Sequence, residues 1–151
     1  MEKNQTIEAM QAIVTDLTEG AFVHKVQGKM FSAQGFEKLG KKFEDHYAEE
    51  MGWVDKIMER MLDLGAQPQV LPTKQRELIA DPKSYLEEDL RIQRSGVEQL
   101  KAIMQLFCGD PISYDILKDY LKDEEEDLFW TETQLDLIEK IGMQNWLIRQ
   151  M

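Results

Sequence analysis

Two glutamates, Glu50 and Glu124, stand at positions where a helix normally places a core residue. Glu50 falls in the run Phe43, Tyr47, Glu50, Val54, Ile57, Met61, Leu64, and Glu124 in Leu117, Leu121, Glu124, Leu128, Thr131, Leu135, Ile138. An ionised carboxylate is rarely buried unless it is paired or bound to metal. A lone core-facing Glu can reach the bundle edge or pair with Lys or Arg. Two near mid-helix can face one another, and their like charges then call for a cation between them. Two bridging carboxylates with further His, Gln or Asp ligands make a dinuclear metal site of the di-iron type. His24, Gln93 and Thr131 are the other polar residues in the apolar runs. His24 and Gln93 can join such a site or serve as core hydrogen-bonding residues. The Thr131 hydroxyl can bond back to its own helix.

The elements that must position these residues follow from the same spacing. Apolar residues recur at alternating steps of four and three in four long runs, the seam of a helical bundle. The other two runs read Met10, Val14, Leu17, Ala21, His24, Gly28, Phe31 and Leu86, Leu90, Gln93, Val97, Leu100, Met104, Phe107. No alternating strand pattern is present, so the fold is predicted to be all-α. Three of the four prolines, Pro68, Pro72 and Pro82, fall within fifteen residues, and Pro111 marks a second break. Helices are predicted over 4–33, 35–64, 83–107, 112–141 and 143–150, all in one domain spanning 1–151. The short link Ser32–Gly35 makes the first two helices antiparallel neighbours. The loop 65–82 is long enough to run the whole bundle, since eighteen residues reach ~60 Å when extended and a 28-residue helix spans ~42 Å. The topology is therefore predicted as up-down-down-up with one long crossover, plus a short fifth helix after Gly142.

The 151 residues are enough to bury roughly two-thirds of the unfolded surface without disulfides. With 18 Lys and Arg against 29 Asp and Glu, the net charge of -11 argues against a nucleic-acid partner and fits either solubility or attraction of cations to an acidic surface. The single cysteine, Cys108, cannot form an internal disulfide. No signal peptide, membrane span, phosphate loop or GxSxG motif is visible, and a cytoplasmic location is expected.

The stretch Asp123-Glu-Glu-Glu-Asp-Leu-Phe-Trp-Thr-Glu-Thr-Gln-Leu-Asp-Leu-Ile-Glu-Lys-Ile-Gly-Met-Gln-Asn-Trp-Leu resembles the fourth and fifth helices of bacterioferritin. Glu49-Glu-Met-Gly-Trp-Val-Asp-Lys-Ile-Met-Glu-Arg-Met-Leu resembles the second helix, and Lys29-Met-Phe with Gly35 and Leu39 the end of the first. The resemblance covers nearly the whole chain. It implies a ferritin-like bundle in a homo-oligomeric shell, usually of 24 subunits, that oxidises Fe(II) and stores ferric mineral. Haem is implied at a subunit interface, with Met51 at the axial-ligand position. Gly52 beside it suggests close approach of something flat or of another helix. Asp45 and Glu49, by the same resemblance, face the shell interior and attract iron.

The family's di-iron site has a Glu on each of the first and third helices and Glu-x-x-His on each of the second and fourth. Here the first-helix position is Leu17 and the third-helix position is Gln93. The two histidine positions carry Trp53 and Asp127. Only the bridging pair, Glu50 and Glu124, is kept. Indole cannot bind iron, because its N–H is a donor only. The metal ligands implied are therefore Glu50 and Glu124, with Asp127, His24 and Gln93 beside them. Three readings follow. The first is a haem-binding storage subunit with an altered oxidation site, alone or mixed with an active subunit. The second is a working ferroxidase, oxidising Fe(II) with O2 or peroxide at a regrouped site. The third is a metal-free structural bundle.

Overall fold

The computed structural model describes residues 2–151. Five helices form and no strand occurs among the described residues: α1 (Glu2–Ala33), α2 (Glu37–Asp63), α3 (Pro82–Met104), α4 (Pro111–Ile141) and α5 (Met143–Ile148). The helix starts of α3 and α4 follow one rule. Asp81 and Asp110 each accept the backbone N–H three residues on, at 2.9 and 3.1 Å, and a proline fills the first helical position. The last turn of the third helix tightens into a 3-10 turn over Gln105–Phe107, so α3 itself ends at Met104 rather than 107.

The direction of each helix is fixed by which ends share a core. Met10, Val14, Val54, Met61, Met104, Phe107 and Leu117 pack at one end. Phe31, Leu39, Leu86, Ile138 and Trp146 pack at the other, called here the Phe31 end. The end of α2 and the start of α3 therefore lie at opposite ends, and both helices run away from the Phe31 end. The topology is up-down-down-up. Residues 64–81 run the length of the bundle against α1. Two glutamines hold them: each uses its side-chain amide both to donate to and to accept from one backbone residue, Gln11 with Gln69 and Gln27 with Ile79, at 2.8–3.0 Å. Gln27 is wholly buried in doing so.

α1 and α2 touch most closely at Gly28 and Gly40. A Cβ at Gly28 would lie 2.7 Å from the Gly40 carbonyl oxygen, and one at Gly40 would lie 2.6 Å from that of Gly28. Backbone cannot yield as a side chain does, so the helices must part to admit a methyl. Gly28→Ala and Gly40→Ala are each expected to destabilise the fold by ~1–3 kcal/mol, an overpacking cost read as a lower unfolding midpoint, although alanine is the better helix former. After α4, Gly142 adopts φ 83° and turns the chain into α5. Trp146 is then fully buried, its indole N–H donating to Gln134 Oε1 at 2.9 Å.

Candidate metal centre

Mid-bundle, the apolar core gives way to a polar cluster. His24 on α1 stands between Glu50 on α2 and Asp89 on α3. Its Nδ1 lies 2.5 Å from Glu50 Oε1 and its Nε2 2.9 Å from Asp89 Oδ1. Ionised carboxylates only accept, so both ring nitrogens donate and the ring is an imidazolium. Burial opposes that charge, but the Asp89 and Glu50 carboxylates outweigh it and hold the His24 pKa well above its usual value. The three side chains are only 12%, 6% and 5% exposed.

A second histidine lies beside the first, with ring centroids 5.7 Å apart. His46, on α2 one turn before Glu50, is 1% exposed. It is packed among the rings of Phe43 and Trp130. Its Nε2 is 3.4 Å from Asp127 Oδ1, and neither ring nitrogen has a hydrogen-bond partner. Burial first, then the charges of His24 and Lys42, pushes its pKa down to about 3, so it is neutral. Glu124 and Asp127 on α4 complete the cluster. Burial and the charge of Glu50 raise Glu124 well above the usual carboxylate range. Burial and the charges of Asp123 and Glu50 bring Asp127 up to about 7. Both shifts have one cause: several negative charges share too little solvent.

The sequence-predicted residues Glu50, Glu124, His24 and Asp127 thus belong to one neighbourhood. Gln93 is buried there with its Oε1 unpartnered, as is Asp89 Oδ2. Leu17 and Trp53 are not part of it. Leu17 is core, while Trp53 packs on Tyr120 and donates from Nε1 to Asp123 Oδ2 at 3.0 Å. Thr131 bonds back to the Asp127 carbonyl at 3.0 Å. Glu49, Asp123 and Asp127 form a more exposed carboxylate group, with oxygens within 4.8 Å of one another.

Asp89 and His46 were missed by the single-line seams. Both carry a signal that a wider reading would catch. His46 is three residues after Phe43 and four before Glu50; Asp89 is three after Leu86 and four before Gln93. The buried face of a globular helix is about 100° wide, so the position beside the seam also points inward. The displacement has one direction. Compared with the positions of Leu17, Trp53 and Gln93, the donors His24, His46 and Asp89 lie ~10, ~10 and ~6 Å along their helices at 1.5 Å per residue. Each shift is toward the Phe31 end, because α1 runs toward that end while α2 and α3 run away from it.

A cleft of about 660 Å³ reaches the cluster from outside, between α1 and α3. His24, Glu50, Asp89 and Glu124 line its inner part, and Glu87 and Glu88 lie along it. Gly20 and Gly96 also line it, with nothing within 4 Å of where their Cβ atoms would stand. Met51 faces elsewhere, into a groove of about 650 Å³ walled by Phe22, Val26, Leu71 and Leu78, with Lys74 and Arg76 beside it.

A four-helix bundle with a full-length crossover and a carboxylate–imidazole cluster at its centre belongs to the ferritin-like class of helical proteins. The model of the ferritin-like domain matches residues 7–141, and the chain belongs to that family. It is 30% identical to a bacterial ferritin of Pseudomonas aeruginosa over 97% of both chains. It is 32% identical to a bacterial ferritin of Synechocystis sp. over 86% of this chain and 83% of the relative. A bacterioferritin of Rhodobacter capsulatus is 29% identical over 76% of this chain and 72% of its own length. No helix among the described residues is long and apolar enough to cross a membrane.

Proposed function

We propose that this chain is an iron-storage subunit of the bacterioferritin type, building a homo-oligomeric shell with haem at a subunit interface and an altered metal centre in each bundle. The convergence of Glu50 and Glu124 with His24, Asp127 and Gln93 in an otherwise apolar bundle is the observation that carries this reading. The names of the relatives, bacterial ferritin and bacterioferritin, support iron as the cargo. The net charge of -11 draws Fe(II) toward the protein, and the acidic cleft offers it a way to the centre.

The groove at Met51 suits haem in its chemistry. Its walls are largely apolar, Lys74 and the Glu19-paired Arg76 would face the propionates, and its thioether is a known haem ligand. One subunit offers one such methionine, so a second copy of the chain would offer the other. Gly52 fits this arrangement, since a Cβ there would meet nothing within its own subunit. Haem, when bound, supplies one-electron exchange with the stored iron.

The test is iron uptake by the assembled protein carrying Glu50→Gln and Glu124→Gln together. The amides keep the shape and remove both charges. Fe(II) affinity at the centre is expected to fall at least by the ~10–100-fold that loss of even an outer partner costs a metal site. Particle size should not change. Uptake equal to that of the unmodified protein would show that the seam carboxylates do not handle iron.

A further inference from the structure

We propose that the cleft between α1 and α3 is a binding site for a linear aliphatic polyamine, a chain of protonated amino groups separated by short methylene runs. This goes beyond the reading of the chain as a storage subunit and does not depend on it.

Two buried oxygens without partners carry the chemistry. Asp89 gives Oδ1 to His24 and leaves Oδ2 unpartnered among the described residues, and Gln93, one turn further along α3, leaves Oε1 unpartnered. Both residues line the cleft and are only 4% and 7% exposed. Buried polar atoms without partners are rare, because each costs the loss of its hydration. A carboxylate oxygen and an amide oxygen both accept, so both call for N–H donors.

The acceptors are placed along a line. The contact between Asp89 and His24 sets α1 and α3 at a common height. From that height, Gln93 lies ~6 Å along α3 and Asp16 ~12 Å along α1, at 1.5 Å per residue. Both steps lead away from the Phe31 end, because α1 runs toward that end and α3 away from it. The cleft thus offers, in order, a buried carboxylate, a buried amide and an exposed carboxylate. Burial and the neighbouring Glu19 raise the Asp16 carboxyl above its usual value.

Between the acceptors the walls are apolar or bare. Leu17, Val23 and Ile92 line the cleft, with Gly20 and Gly96 on its two sides. Glycine inside a helix is costly against alanine, and a Cβ at either position would meet nothing within 4 Å. Packing therefore does not require these glycines, and the room they leave lets a chain lie between the helices. The volume of about 660 Å³ is that of a small-molecule site. Methylene groups cover the apolar walls while the ammonium groups reach the oxygens. A bare metal ion answers the oxygens and leaves the walls wet.

The experiment titrates spermidine into the metal-free assembled protein by calorimetry at ~0.15 M salt, where exposed charges are screened beyond ~8 Å. One spermidine per chain is expected. Gly96→Leu fills the cleft without changing a charge, while Asp16→Asn and Asp89→Asn each remove a carboxylate. Each is expected to weaken binding at least ~10-fold, the usual loss with a hydrogen bond to a charged group. If Asp89→Asn fails to assemble, Gly96→Leu and Asp16→Asn decide. No binding, unchanged affinity in Gly96→Leu, or displacement of spermidine by an equal concentration of Mg(II) would overturn the polyamine site. Iron uptake by the same particles separates the two readings. Uptake without spermidine binding removes only this inference, and spermidine binding without uptake removes only the storage function.

Discussion

Replacing His24 with leucine is expected to destabilise the metal-free protein by ~3–5 kcal/mol, the usual cost of removing one partner from a buried charge pair. For a chain of this size that lowers the unfolding midpoint by ~6–20 °C, at 2–4 °C per kcal/mol. The imidazolium is the only cation in contact with Glu50 and Asp89 among the described residues. Leucine fills a similar volume but leaves two buried carboxylates facing each other. They must then ionise unpaired or take up protons, and either outcome costs stability. The triple variant with Glu50→Gln and Asp89→Asn removes the charges that His24 neutralises, so it should regain a large part of the loss. Thermal unfolding of the three proteins, each stripped of metal, checks this. An unchanged midpoint for His24→Leu would mean that the His24 cation contributes nothing to the fold.

Replacing Met51 with leucine is expected to abolish the Soret band of the assembled protein while leaving fold and assembly intact. Leucine matches methionine in bulk and hydrophobicity, and such swaps usually cost under ~1.5 kcal/mol. What it lacks is the thioether lone pair that would hold haem iron at the Met51 groove. Met58→Leu, in the same helix but outside the lining of the Met51 groove, is the matched comparison and should keep full haem. A full haem complement in Met51→Leu would show that the groove is not the haem site or that haem is held there by its propionates alone.

The architecture was legible because bundle packing writes itself into the chain as a four-three repeat. Each seam is apolar except where the centre needs polar groups, and Glu50, Glu124, His24 and Gln93 stood out for that reason. The crossover was legible from proline placement and length. Its fastening to α1 was not, since a glutamine that bonds a distant backbone amide, as Gln27 does with Ile79, has no local signature. Met51 and Asp127 became visible only through resemblance, because one carboxylate among many and one methionine among nine carry no signal of their own.

His46 and Asp89 were hidden differently. The pattern was followed along one line of each helix, while the buried face is wider, and both residues sit beside the line. Resemblance also directed attention to Leu17, Trp53 and Gln93, on the side of the bridging glutamates where hydrophobic groups and an amide now stand. The replacement donors approach from the Phe31 end instead. Position by position the pattern is broken; in space, His24 contacts Glu50 and Asp89, and His46 lies 3.4 Å from Asp127.

The most direct measurement is the iron content, visible spectrum and mass of the particle purified without added metal. A shell many times the 17.7 kDa subunit mass, carrying iron beyond two per chain and a Soret band, is the expected result. A small species that stays free of iron after exposure to Fe(II) and air would contradict the storage function.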